Sequence, residues 1–160
     1  MSTQPTPAPS MPQLPAIGVF APQKGLVDFF IYPIVVASLI HTAGSNVAVV
    51  QQQISTDSDF YWNAATYQVD LATAAQTNAS RVVPAATVQI NDQGSNRNLF
   101  NTPVPVATLA GFGNEPYRLV HPRLFTRGTT ITVTFTNYSA AEDYTNLYFL
   151  LHGFKIYGTG

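Results

Sequence analysis

The chain has no cysteine, which removes disulfide frameworks, thiolate metal sites and cysteine nucleophiles together. Charge is nearly as scarce: 9% of residues are Asp, Glu, Lys or Arg, against roughly 25% in an ordinary soluble domain. So little charge protects a monomer weakly against association, so part of the surface reads as interface. The net charge of −1 supplies no field to gather nucleic acid over distance. No basic residue precedes Lys24 and no apolar run precedes Pro22, unlike a secretory leader. The apolar run Phe29 to Ile40 is too short to cross a bilayer and contains Pro33, so no membrane role is expected.

Catalytic signatures are equally sparse. His41, His121 and His152 show neither H-x-H nor H-E-x-x-H spacing, and no G-x-S-x-G elbow or Walker A loop occurs. No metal, cofactor or enzymatic activity is expected. His152, among Leu150, Phe154 and Ile156, reads as a hydrogen-bonded strand residue. Asp57-Ser58-Asp59 offers oxygens to calcium, but a turn leading into Phe60 is the favoured reading. Asn78-Ala79-Ser80 and Asn137-Tyr138-Ser139 match the glycosylation pattern, as chance allows in an Asn- and Ser-rich chain.

What is present begins with proline. Six of the twelve prolines (Pro5, Pro7, Pro9, Pro12, Pro15, Pro22) fall in Met1–Pro22, a segment with no charged side chain. Proline removes backbone donors and blocks a helix, so an extended, polyproline-like arm is expected over residues 1–22. Such an arm must be held by something to be ordered, and a neighbouring chain is the expected holder. Pro5, Pro7, Pro9, Pro12 and Pro15 are its expected contact residues, with Leu14, Ile17, Val19 and Phe20 as apolar anchors. The bland alternative is that Ile17 to Phe20 pack on their own domain.

Residues 23–160 read as strand upon strand. Phe29–Tyr32 and Ile34–Val36 are β-rich, with Pro33 marking an edge or a bulge. Thr42–Asn46 is a turn before the β-branched run Val47–Ile54. Phe60 and Trp62 share one face of a short strand, and Tyr67, Val69 and Leu71 alternate in the next. Ala72–Ser80 reads as a helical turn or loop. Ala86, Val88 and Ile90 alternate ahead of the turn Asn91–Asn96. In Thr130–Thr136, Ile131, Val133 and Phe135 point one way and the threonines the other. Asn146–Tyr157 is apolar on both faces, so it is expected to be central or covered. About eight short strands imply an all-β, antiparallel β-sandwich of jelly-roll type.

The arginines are unevenly placed. Arg81, Arg97, Arg118, Arg123 and Arg127 all fall between 81 and 127, where Asp92 and Glu115 are the acids. Arg97, Arg118, Arg123 and Arg127 are expected either at an interface or tying loop carbonyls, with the tying role favoured. Aromatic residues are not interleaved there at stacking density, which argues against a nucleic-acid groove.

The turn and arginine around Gly94–Phe100, the paired Pro103 and Pro105, the Pro122–Phe125 segment and Gly153-Phe154-Lys155 carry a resemblance. Over Arg81–Gly158 the chain resembles jelly-roll virion structural proteins of tailed bacteriophages, those that decorate or cement the capsid. The resemblance implies a non-enzymatic protein on the capsid surface of a virion, bridging neighbouring capsid subunits. Its expected partners are a capsid protein and copies of itself, as a dimer or trimer. The alternative is a receptor- or glycan-binding component of a collar, fibre or tail, with Tyr61, Trp62 and Tyr67 as stacking candidates.

Overall fold

A computed structural model describes residues 27–74, 77 and 81–158. The proline arm, with Pro5, Pro7, Pro9, Pro12, Leu14, Pro15, Ile17, Val19 and Phe20, lies outside the described residues. The described chain opens with β1 (Val27–Leu39), β2 (Val47–Gln53), β3 (Ser58–Leu71) and a 3-10 turn at Ala72–Ala74. β4 (Ala86–Asp92), β5 (Arg97–Asn98), β6 (Val104–Pro105), the helical turn α1 (Val106–Leu109) and β7 (Gly111–Phe112) follow. β8 (Tyr117–Phe125), β9 (Thr130–Asn137) and β10 (Tyr144–Tyr157) complete it.

Two sheets result. The first runs β1-β10-β3, with β8 and the short β7 both on the far side of β3; the second runs β2-β9-β4, with β5 and β6 beyond β4. Setting aside the two-residue β6 and β7, the pairings nest: β1 with β10, β2 with β9, β3 with β8, β4 with β5. All four are antiparallel, as in one long hairpin rolled over on itself. That is the jelly roll.

The core follows from the period of two. Ile131, Val133 and Phe135 of β9 meet Leu147, Phe149 and Leu151 of β10 between the sheets, with Ile34 and Val36 of β1 and Val88 and Ile90 of β4. Phe135 and Phe149 touch edge to face, with ring centroids 5.8 Å apart. Pro33 stands in β1, which among the described residues pairs with β10 alone and forms the sheet's edge, in keeping with its missing N–H.

One strand stands where the sequence suggests two. β3 is continuous for 14 residues, and its register slips between Trp62 and Ala64 against both neighbours. Against β10, Asn63 is the extra residue of a β-bulge, and it flips the parity; against β8 the extra residues, 119–122, lie on β8. Phe60 and Trp62 point inward before it, Ala65, Tyr67 and Val69 after it. The alternation is thereby broken at the point where the sequence reads a boundary.

Candidate interaction surface

An antiparallel sheet with one face to water normally alternates apolar-in, polar-out. The second sheet largely obeys: Thr130, Thr132, Thr134, Thr136, Thr87, Gln89, Asn91 and Gln51 face outward from it, with exposed Val47 and Val49 on its edge strand as the apolar exceptions. The first sheet does not. Its outward side chains form rows across β1, β10, β3 and β8. Phe29, Phe154, Tyr61 and Leu124 make one row, and Ile31, His152, Ala64 and Arg118 the next. Then come Pro33, Leu150 and Thr66, and finally Val35, Tyr148 and Gln68. Across these four rows the charged side chain is Arg118.

Much of this apolar surface meets solvent. Phe29 is 62% exposed, and Val35, Tyr148, Phe154 and Leu124 are exposed as well. Phe29 packs edge to face on Phe154 at 6.1 Å and lies 6.3 Å from the His152 ring. Seven residues of strand by four strands give a footprint on the order of 400 Å², the size at which an apolar patch marks a binding surface. Where β7 runs beside β3, the face deepens into a groove of about 780 Å³ lined by Tyr148, Leu150, Gln68, Phe112, Asn114 and Arg81.

His152 sits in the middle of the face. Its Nε2 is 2.8 Å from Thr66 Oγ1, and burial lowers its pKa below the ordinary 6.5. The strand role read from sequence agrees with this placement. The folded ring resists protonation, so the unfolded state takes up the proton first as pH falls from about 6.5. Stability is complete above that value and declines until the folded ring also titrates. An NMR titration is expected to place the His152 midpoint below 6.5, and His152→Gln to remove that part of the stability slope between pH 7 and 5. A midpoint at or above 6.5 would contradict the burial argument.

Asp143 behaves as a second, more acidic group. The His41 backbone N–H and ring Nδ1 both lie 2.7 Å from its Oδ1, and these hydrogen bonds hold the carboxyl below its usual value. Its contribution is complete above about pH 4 and is lost as pH falls through the lowered pKa. The contact joins the end of β1 to the loop before β10.

The other sequence-level candidates have definite places. Arg127 ties a loop: its backbone N–H and its Nε bond to Asp59 Oδ1 at 2.9 and 3.3 Å. Arg118 lies on the apolar face, while Arg97 and Arg123 line a separate recess of about 230 Å³ with Asp92 and Ser95. The arginines are therefore not one patch. In Asp57-Ser58-Asp59 the first residue closes a turn and the other two open β3: Ser58 Oγ donates to Asp57, Arg127 holds Asp59, and Lys155 Nζ is 3.9 Å from Asp57. That ammonium also donates to Ser55 Oγ at 2.8 Å and sits 4.0 Å over the Phe30 ring. Asn137 is buried and its amide donates to the Leu39 and Glu142 carbonyls, so it is no glycan acceptor.

Two of the three stacking candidates are withdrawn from the surface. Trp62 and Tyr67 are 1% and 3% exposed because the bulge turns both inward; Tyr61 is half-buried on the outer face. The exposed rings Tyr148, Phe154, Phe29 and Phe112 take their place. Among the described residues, no group of three or more His, Asp or Glu is gathered to hold a metal, and no helix is long and apolar enough to cross a membrane. No family model, curated protein or solved structure matches the chain.

Proposed function

We propose that this chain is a non-enzymatic virion structural protein that decorates or cements a bacteriophage capsid. In this reading it sits on the capsid surface as a homo-oligomer, dimer or trimer, and bridges neighbouring capsid subunits. The observation that carries the assembly role is the apolar outer face of one sheet, with Arg118 as its charged side chain, beside a more polar face on the other. An enzyme or a free monomer has no use for such asymmetry, whereas a protein that spends its life docked does. The phage setting rests on the resemblance over Arg81–Gly158, and the proline arm supplies reach toward a neighbour at about 3.1 Å per residue.

The groove favours a second reading. Tyr148 and Phe112 beside Gln68, Asn114 and Arg81 combine exposed rings with amide and guanidinium donors, a chemistry suited to a glycan. A receptor-binding part of a collar, fibre or tail would use it. Heat and osmotic challenge of particles with and without the protein separates the two. Loss of particle stability supports the cement role; unchanged stability with loss of cell attachment supports the receptor role. Deleting residues 1–15 is expected to leave a folded domain that binds its shell at least tenfold more weakly. Equal binding by the truncated and intact proteins would remove the arm from the mechanism.

A further inference from the structure

We propose that two copies of this chain join β2 to β2 along their free edges, so that their second sheets run on as one. This rests on the homo-oligomer reading above and fixes how the copies meet: about a two-fold axis at Val50, as a dimer.

An edge strand leaves half of its backbone groups without a ladder partner. In β2 the bonds at its two ends show which half. The Asn137 N–H donates to the Asn46 carbonyl and the Ile54 N–H to the Thr129 carbonyl, each at 2.8 Å. The register between these two bonds is unbroken, so Ala48, Val50 and Gln52 also bond to β9. Val47, Val49, Gln51 and Gln53 therefore turn their N–H and C=O groups away from it. Among the described residues nothing pairs with those groups except Gln52 Nε2, which donates to the Gln53 carbonyl at 2.8 Å. Their side chains are exposed as well, Val49 by 60%.

The other edges are guarded. β1 carries Asp28 and Pro33, and β8 carries Arg118, Pro122 and Arg123. Beyond β4 the described strands are β5 and β6, two residues each, with Arg97 and Pro105. Charge, proline and shortness are the devices that keep an edge from pairing. β2 has none of them. Its seven residues, Val47-Ala48-Val49-Val50-Gln51-Gln52-Gln53, include three valines and no charge, proline or glycine. A strand of that composition left bare seeds fibres.

A second copy is the occupant the strand itself selects. Paired antiparallel about Val50, Val47 lies opposite the partner's Gln53 and Val49 opposite the partner's Gln51. The whole strand then overlaps, and each pair of edge-facing residues exchanges two hydrogen bonds. On the outer surface each exposed valine lies against the stem of a glutamine. Like charges across a two-fold seam repel, and this strand brings none. The pairing uses the same edge on both copies, so assembly stops at two, whereas β2 on a different edge would leave ends open and grow. The apolar face of the first sheet stays free for a shell.

Sedimentation of the full chain is expected to give a dimer. The amides of Val47, Val49, Gln51 and Gln53 should exchange with deuterium slowly in the dimer and at least tenfold faster after dilution to the monomer. Those of Ala48, Val50 and Gln52, bonded within the subunit, stay slow in both. Val49→Lys is expected to weaken the dimer at least tenfold with the subunit still folded by circular dichroism. Adding Gln51→Glu, which places opposite charges across the seam, should restore it. The chain has no cysteine of its own. Val50→Cys is expected to oxidise to a cross-linked dimer, since the paired Cα atoms stand about 4.5 Å apart, within the span of a disulfide. Gln53→Cys, about 20 Å from its copy in this register, should not cross-link. A monomer or a trimer overturns the proposal, as does a dimer in which the Val47, Val49, Gln51 and Gln53 amides exchange freely. So does a dimer unmoved by Val49→Lys and not cross-linked through Val50→Cys, which would put the contact on another surface and leave the homo-oligomer reading intact. Protection of those amides only when particles are added would give the edge to a capsid segment and overturn it as well. Particles indifferent to a protein that is this dimer would end the cement reading and leave the β2 contact standing.

Discussion

Replacing Trp62 by alanine is expected to lower the unfolding free energy by about 3–5 kcal/mol, a large part of the 5–15 kcal/mol that holds a typical domain. The midpoint of thermal unfolding should fall on the order of 10–20 °C. The indole stacks on Phe125, with ring centroids 6.1 Å apart and planes 22° apart, under the edge strand β8. Removing it opens a cavity that β8 cannot close, because Phe125 is held opposite Phe60 by the β3–β8 ladder. A second loss adds to the first: Trp62 Nε1 donates to the Ala64 carbonyl at 2.7 Å, across the bulge at Asn63. Trp62→Phe keeps most of the volume and loses only that bond, so it should cost about 1–2 kcal/mol. Urea unfolding of the two variants separates the terms. Similar losses for both would mean that the hydrogen bond, and not the packing, dominates.

Gly153→Ala should also be damaging, at about 2–3 kcal/mol. Gly153 stands opposite Trp62 where the β10–β3 register slips. A Cβ there would fall inside contact distance of the Tyr61 carbonyl oxygen and 2.8 Å from Phe60 Cζ. The carbonyl belongs to a strand flanked on both sides, and the ring is fully buried, so neither can yield cheaply. Denaturant titration with an unchanged slope is the expected signature. A loss below about 0.5 kcal/mol would show that β3 can slide at its bulge.

These two residues show what sequence reading could and could not supply. Strands with clean alternation were legible: Ile131, Val133 and Phe135, or Ala86, Val88 and Ile90, announce both period and face. Pro33 narrowed β1 to an edge or a bulge, because it has no hydrogen to give a second neighbour. β10 read as apolar on both sides, which placed it centrally and hinted at a covered face. The face itself was hidden, since Phe29 and Phe154 are 125 positions apart and meet only through register. The bulge was hidden too: one inserted Asn63 turned Trp62 and Tyr67 inward, and no local pattern marks an inserted residue as such. β8 went unread because Pro122 interrupts it, and the arginines looked clustered along the chain while the fold distributes them among a loop, a recess and a sheet face.

The nested pairing also dictates a timetable. Of the described strands β1 is made before the others, and its ladder partner β10 is made after them. The outermost closing step, β1 on β10, joins segments separated by most of the chain, a topology that folds slowly. During synthesis β1 must therefore wait, its apolar residues unpaired, until the final strand leaves the ribosome. Losing the 14 residues of β10 would leave β1 and β3 with no strand between them, so a chain stopped short of Tyr144 keeps β3 beside β8 but has nothing to join β1 to them.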